Sequence, residues 1–137
     1  MNYKKSKIAK ETSKKKIMII EDELDILSLF KDYLGSKGYE VLATSTVANG
    51  ILDEYDGLLP DILILDYKLP GEINGLDAAR IILQKHSDAH IILITAYDVI
   101  RKEINKDPFL SNKQIFLLIK PIRLHELENY IKKFFPT

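Results

Sequence analysis

Ile62-Leu63-Ile64-Leu65-Asp66 decides the fold. Four apolar residues follow the break at Leu59-Pro60-Asp61 and run without interruption into a carboxylate. A strand with one wet face alternates apolar and polar residues. An unbroken Ile/Leu run marks a strand covered on both faces, as in a parallel sheet. Similar runs lie outward at 17–20, 91–94 and 115–119. Between the runs the spacing turns helical. In 23–37 the apolar residues Ile26, Leu27, Phe30, Tyr33 and Leu34 form one stripe, and Gly38 ends it. Helices are also expected from Ser45 or Thr46 to about Tyr55, over 75–86 (Leu76, Ala79, Ile82, Leu83 and His86 on one side), over 97–105 and over 123–135. Strands are expected at 16–20, 39–44, 62–65, 90–94 and 114–119, with 107–114 irregular around Pro108.

The order is five repeats of strand then helix. Parallel neighbours need right-handed crossovers, which put helices on both sheet faces. The expected fold is an open, doubly wound α/β sandwich of (βα)5 type with a five-stranded parallel sheet. Ligands in such folds bind beyond the carboxyl ends of the strands. The chemistry therefore belongs just after Ile20, Leu65, Ile94 and Ile119.

Composition bounds the alternatives. The chain has 137 residues, 46% hydrophobic and 29% charged, which fits one globular domain. It has no cysteine, which excludes disulfides, thiolate nucleophiles and cysteine-bound zinc. Its apolar runs fall far short of the ~20 residues that cross a bilayer, and no apolar core follows the first lysines as a secretory signal requires. The zero net charge hides an asymmetry. Seven lysines against Glu11 give residues 1–16 a balance of +6, so the rest carries −6. Residues 1–13 read as a lysine-rich, solvated tail and 14–137 as the folded domain; the tail has no base-reading motif, so nucleic-acid binding is not expected.

At the strand ends stand Glu21-Asp22-Glu23, Asp66, Thr95-Ala96 and Lys120-Pro121. Converging carboxylates repel and raise one another's pKa; a hard divalent cation such as Mg²⁺ removes the conflict. A lysine and a hydroxyl beside it can hold an anion. The set suits a phosphoryl group next to a metal. His86 and His90 are separated by the Ser87-Asp88 break and share no metal-binding face.

These motifs, in this order, resemble the receiver domain of two-component response regulators: 17–23, Asp66 with Leu69-Pro70 and Gly75, Thr95-Ala96, and Lys120-Pro121. The resemblance covers about 14–137. It implies the flavodoxin-like strand order 2-1-3-4-5 and a cytoplasmic signalling module, not an enzyme acting on other molecules. Asp66 would be the phosphoacceptor, receiving its phosphoryl from a sensor histidine kinase or a histidine phosphotransfer protein. Asp22, Asp66 and the backbone carbonyl of Lys68 would hold Mg²⁺, with Glu21 acting through a metal-bound water. Lys120 and Thr95 would contact the phosphoryl oxygens, and a cis peptide bond would precede Pro121. Output would pass through the face made by the fourth helix, fifth strand and fifth helix to a downstream effector or a phosphorylation-dependent homodimer. With no effector segment after the last helix, a stand-alone receiver is expected.

The sequence departs from the family's pattern at four places. Glu21 stands where aspartate is more usual. The 66–75 loop is one residue longer. Leu117 occupies the place of the switch aromatic, with Phe116 on the opposite face, and 107–114 is long. The residues also bear on two other readings. A haloacid-dehalogenase-type phosphohydrolase needs an acid where Lys68 stands, and a cap that is absent. A degenerate receiver, binding partners without phosphorylation, is opposed by the intact acceptor set.

Overall fold

The computed structural model describes residues 14–136, so the 1–13 segment lies outside the described residues. Strands β1 (Lys16–Ile20), β2 (Glu40–Ser45), β3 (Ile62–Asp66), β4 (Ile91–Thr95) and β5 (Ile115–Ile119) form one parallel sheet in the order β2-β1-β3-β4-β5. Helices α1 (Leu24–Ser36), α2 (Ile51–Leu58), α3 (Gly75–Lys85), α4 (Val99–Lys106) and α5 (Leu124–Phe134) connect them. This is the doubly wound architecture and strand order expected from the sequence. No described helix is long and apolar enough to cross a membrane.

Strand alternation divides the core in two. Ile17, Ile19, Ile62, Ile64, Ile92 and Ile94 face α1 and α5, meeting Leu27, Phe30, Leu34, Leu127 and Ile131. Met18, Ile20, Leu63, Leu65, Ile91 and Leu93 face α2, α3 and α4. Every residue of β3 and β4 is buried, which is why those runs do not alternate. Each Ile or Leu fully removed from water contributes ~1.5–3 kcal/mol. Leu117 packs on the α2–α4 side and Phe116 on the α5 side, its ring 4.5 Å from that of Phe134 and 5.2 Å from that of Tyr130.

Two local features differ from the sequence expectation. α2 starts at Ile51, not at Ser45 or Thr46, because Gly50 takes a left-handed φ of 76° that no helix interior accepts. His86 is not on the buried face of α3. It follows the last turn, and its Nε2 lies 2.6 Å from Asp56 Oδ1. The buried face is Gly75, Ala78, Ala79, Ile82 and Leu83, started by a capping box in which Asn74 Oδ1 accepts the Asp77 N–H and Asp77 Oδ2 accepts the Asn74 N–H. The 107–114 stretch is irregular, as expected, apart from a 3-10 turn at Leu110–Asn112. Asp107 Oδ1 accepts the N–H groups of Phe109 (2.8 Å) and Leu110 (3.0 Å), and Oδ2 binds the Arg80 guanidinium of α3. That bond to Arg80, with the two backbone donors, holds the Asp107 carboxyl down at about 2.

Gly75 sets how closely α3 approaches the end of β3. A Cβ there would lie 2.3 Å from the Asp66 carbonyl oxygen and 2.8 Å from Tyr67 Cα, so only glycine fits. Its N–H donates to the Tyr67 carbonyl at 2.7 Å and closes the loop. Gly75→Ala is expected to cost about 1–3 kcal/mol of unfolding free energy, through a forced shift of the Asp66 backbone. Urea unfolding of the two chains measures it; an unchanged midpoint would show that the loop relaxes freely.

Candidate functional site

The β1, β3, β4 and β5 ends bring the predicted site residues together. Asp66 is the last residue of β3 and Thr95 the last of β4; Glu21 and Lys120 follow β1 and β5 directly. Among the residues whose burial is described, three polar side chains are buried, and all three are here: Glu21 at 2% exposure, Asp66 at 5% and Thr95 at 1%. Lys120 Nζ lies 2.9 Å from Asp66 Oδ1 and 4.0 Å from Glu21 Oε1. The Lys120 N–H donates to the Thr95 carbonyl at 2.8 Å, and the Lys120–Pro121 bond is cis, as the family resemblance implies.

A cavity of about 260 Å³ opens over this group, lined by Asp22, Glu23, Asp66, Lys68, Thr95, Ala96, Tyr97 and Lys120. A larger hollow of about 440 Å³ lies beside it between α1 and the turn after β5, but apart from Lys120 its walls are apolar (Ile26, Phe30, Ile122 and Leu124 among them). Charge and hydrogen-bonding capacity are concentrated in the smaller one. Thr95 Oγ1 accepts the Tyr97 N–H at 3.1 Å, which occupies a lone pair and leaves the hydroxyl proton free to donate. Tyr97 meets Tyr67 edge to face, with centroids 6.3 Å apart. Glu23 and Ala96 also line the cavity, without a role among the expected site residues; the acidic triplet at 21–23 is the signal for Glu23.

Burial sets the electrostatics. It pushes the Glu21 carboxyl up to about 7; the Asp66 charge adds to the rise and the Glu23 N–H, 3.2 Å from Oε2, opposes it. Burial also raises Asp66, against the pull of Lys120. For Lys120 burial acts downward, yet the hydrogen bond and charge of Asp66 lift the ammonium above its ordinary value. The other Glu21 oxygen, Oε1, is buried without a hydrogen-bond partner. One oxygen each from Glu21, Asp22 and Asp66 lie within 4.8 Å of one another. Three carboxylates, one of them with a buried oxygen lacking a hydrogen-bond partner, fit the donor chemistry of a hard divalent cation.

Comparison with known proteins agrees with this geometry. The family model for the response regulator receiver domain matches residues 17–132. The chain belongs to that family. It is 33% identical over 82 residues to the chemotaxis protein CheY of Thermotoga maritima, covering 60% of this chain and 68% of that protein. Sporulation initiation phosphotransferase F of Bacillus subtilis is 28% identical over 126 residues, covering 88% of this chain and 94% of that one. The match spans 25% and 52% of the length of two longer curated relatives. Among solved structures, the response regulator TrrA of Thermotoga maritima, in complex with Mg(2+)-BeF, superposes with a TM-score of 0.74 at 33% identity, covering 88% of this chain and 98% of that one.

The raised Glu21 carboxyl has a sign that can be tested. Its neutral form suits the fold, so its contribution is complete below the unfolded value of 4.5 and is lost as pH rises through about 7. In chelator-treated protein, Glu21→Gln is therefore expected to be more stable than the parent at pH 8, by ~1–3 kcal/mol. At pH 5 the difference should be small. Urea midpoints at the two pH values check it; equal differences at both would exclude a titrating Glu21.

Proposed function

We propose that the protein is a phosphoacceptor receiver and that Asp66 accepts a phosphoryl group from the phosphohistidine of a sensor histidine kinase or a histidine phosphotransfer protein. One observation carries this reading: the Asp66 carboxylate is buried, held 2.9 Å from an ammonium, and shares its cavity with a threonine hydroxyl. A carboxylate oxygen of Asp66 attacks phosphorus, the P–N bond breaks, and its electron pair leaves with the imidazole. Lys120 neutralises the phosphoryl oxygens and Thr95 donates its free proton to one of them. Asp22, Asp66 and the Lys68 carbonyl would hold Mg²⁺, with Glu21 contributing through a water. The cation supplies charge neutralisation to the oxygens in transit. The Mg(2+)-BeF complex of TrrA and the phosphotransferase name of the Bacillus relative support the assignment. With such a kinase as phosphodonor, the reaction would run in the cytoplasm.

The phosphoryl adds roughly −1.5 to −2 charges at the cavity. Thr95 and Lys120 are drawn toward them, which biases the face built by α4, β5 and α5. A groove of about 200 Å³ runs along that face between Ile104, Leu117 and Tyr130, and a downstream effector is its intended reader. Leu117 gives this face no ring on the α4 side, so the relay differs from an aromatic rotamer switch.

Incubation with Mg²⁺ and acetyl phosphate tests the proposal by intact mass. The parent chain is expected to gain one phosphoryl and Asp66→Asn none. Many turnovers of acetyl phosphate without an adduct would indicate a hydrolase; no adduct and no turnover would leave the phosphorylation-independent binding module. Lys68 and Tyr97 both border the cavity and restrict the approach of water to the phosphoryl. The adduct is therefore expected to be long-lived, and the Lys68→Ala/Tyr97→Ala double variant to lose it about tenfold faster, a change of about 1.4 kcal/mol in barrier. Equal decay of the two adducts would remove both residues from that role.

A further inference from the structure

A further cavity, of about 270 Å³, lies at the opposite edge of the sheet, by the amino ends of β3 and β4. Its walls include Tyr55, Leu59, Pro60 and Phe135, and its carboxylates are Asp61 and Asp88. Leu59 is 60% exposed and sits in left-handed backbone with a φ of 45°, its N–H on the Tyr55 carbonyl at 2.8 Å. A leucine held in that conformation with its side chain in water is the kind of strain that gathers at binding sites. The charge at the cavity is also unbalanced. Lys85 Nζ and His86 Nε2 both lie on Asp56, each at 2.6 Å. His90 is stacked on Phe134, with centroids 4.5 Å apart. Among the described residues, neither Asp61 nor Asp88 has a side-chain cation as partner. The excess converges on the cavity: burial first, then the charges of Asp88, Asp61 and Asp56, push the Tyr55 phenol above its ordinary value.

The chain enters the fold at this cavity. The Lys16 N–H donates to Asp61 Oδ2 at 2.7 Å, and Lys15 Nζ stands 4.3 Å from the centroid of the Phe135 ring. The residues before them, 1–13, carry Lys4, Lys5, Lys7 and Lys10 against Glu11, and Tyr3 and Ile8 each stand next to a lysine. Apolar side chains flanked by lysines match apolar walls flanked by carboxylates. Extended chain spans up to ~3.3–3.6 Å per residue, so Ile8 is within reach of a cavity that Lys15 and Lys16 already touch. We propose that residues 1–13 dock in this cavity, with their lysines paired to Asp61 and Asp88 and Ile8 against Tyr55 and Leu59. The segment then acts as a clamp over the amino ends of β1, β3 and β4 instead of a solvated tail. Its lysines are held on the chain's own acids and away from nucleic acid or a lipid surface. The docking needs no phosphoryl group, since Asp66 closes the other end of β3.

Carbodiimide coupling of the full chain tests the clamp, because the reagent joins an ammonium to a carboxylate in direct contact. Unlabelled and isotope-labelled chains are mixed in equal amounts beforehand. Peptide mapping is expected to find Lys4, Lys5, Lys7 or Lys10 joined to Asp61 or Asp88 within one chain, in preference to Glu40. Glu40 is the control: it is exposed and its N–H binds the Lys15 carbonyl at 2.9 Å, so it is as near to the segment but outside the cavity. Raising the salt to ~1 M, where the screening length falls to ~3 Å, is expected to remove the preference. Asp88→Lys, a change at an exposed position, is expected to lower coupling at Asp61 by about fivefold, the upper end for one exposed ion pair. Coupling to Glu40 as often as to Asp61 and Asp88, or no coupling at all, would overturn the clamp. So would preferential coupling to Asp22 or Glu23, which would put the segment at the other edge of the sheet. Isotopically mixed pairs would make the occupant a second copy and overturn it too, as would an Asp88→Lys pattern at Asp61 identical to the parent's.

Discussion

Glu21 and Asp66 lie buried side by side at the rim of a parallel sheet and share one ammonium, that of Lys120. With Asp22 at the same edge, three acids face one base. In a medium of low effective dielectric such an excess is costly, and the molecule shows the cost: Glu21 is pushed up to about 7, Asp66 rises, and one Glu21 oxygen has no hydrogen-bond partner. The excess is also what gives the pocket its chemistry. Cation charge from outside would relieve that excess, and an anion entering the cavity would meet Lys120 and the Thr95 hydroxyl.

The fold supplies this arrangement almost without special devices. Parallel strands end at one edge, so the residue after each run arrives at the same rim. Alternation seals both sheet faces with aliphatic side chains, which leaves that rim as the place where buried polar groups gather. Two local constraints refine it. Gly75 lets α3 close onto the Asp66 backbone, and the Lys120 N–H bonded to the Thr95 carbonyl ties the lysine to the hydroxyl's own strand. A shift of either strand end would move two of the clustered polar groups together.

Much of this was legible in the sequence because it follows from periodicity and strand order. The unbroken runs at 62–65 and 91–94 announced strands covered on both faces, and the residues after each run named the pocket before any geometry was known. The start of α2 was not legible, since the left-handed turn at Gly50 looks locally like a weak spot inside a helix. Nor was the anchoring of 107–114: Asp107 gathers two backbone donors and Arg80 from 27 residues away, a long-range pairing that no local pattern encodes. The Asn74–Asp77 capping box was readable in principle, because its two residues stand three apart at the helix entrance.

The central claim is chemical: one side chain forms a mixed anhydride with phosphate. Borohydride reduces an acyl phosphate to the alcohol, and an aspartyl phosphate so treated becomes homoserine. Peptide sequencing of the phosphorylated and reduced protein is predicted to find homoserine at position 66 and unmodified carboxylates at Glu21 and Asp22. Reduction at either of those acids, or a phosphate that survives borohydride on the Thr95 hydroxyl, would contradict the account.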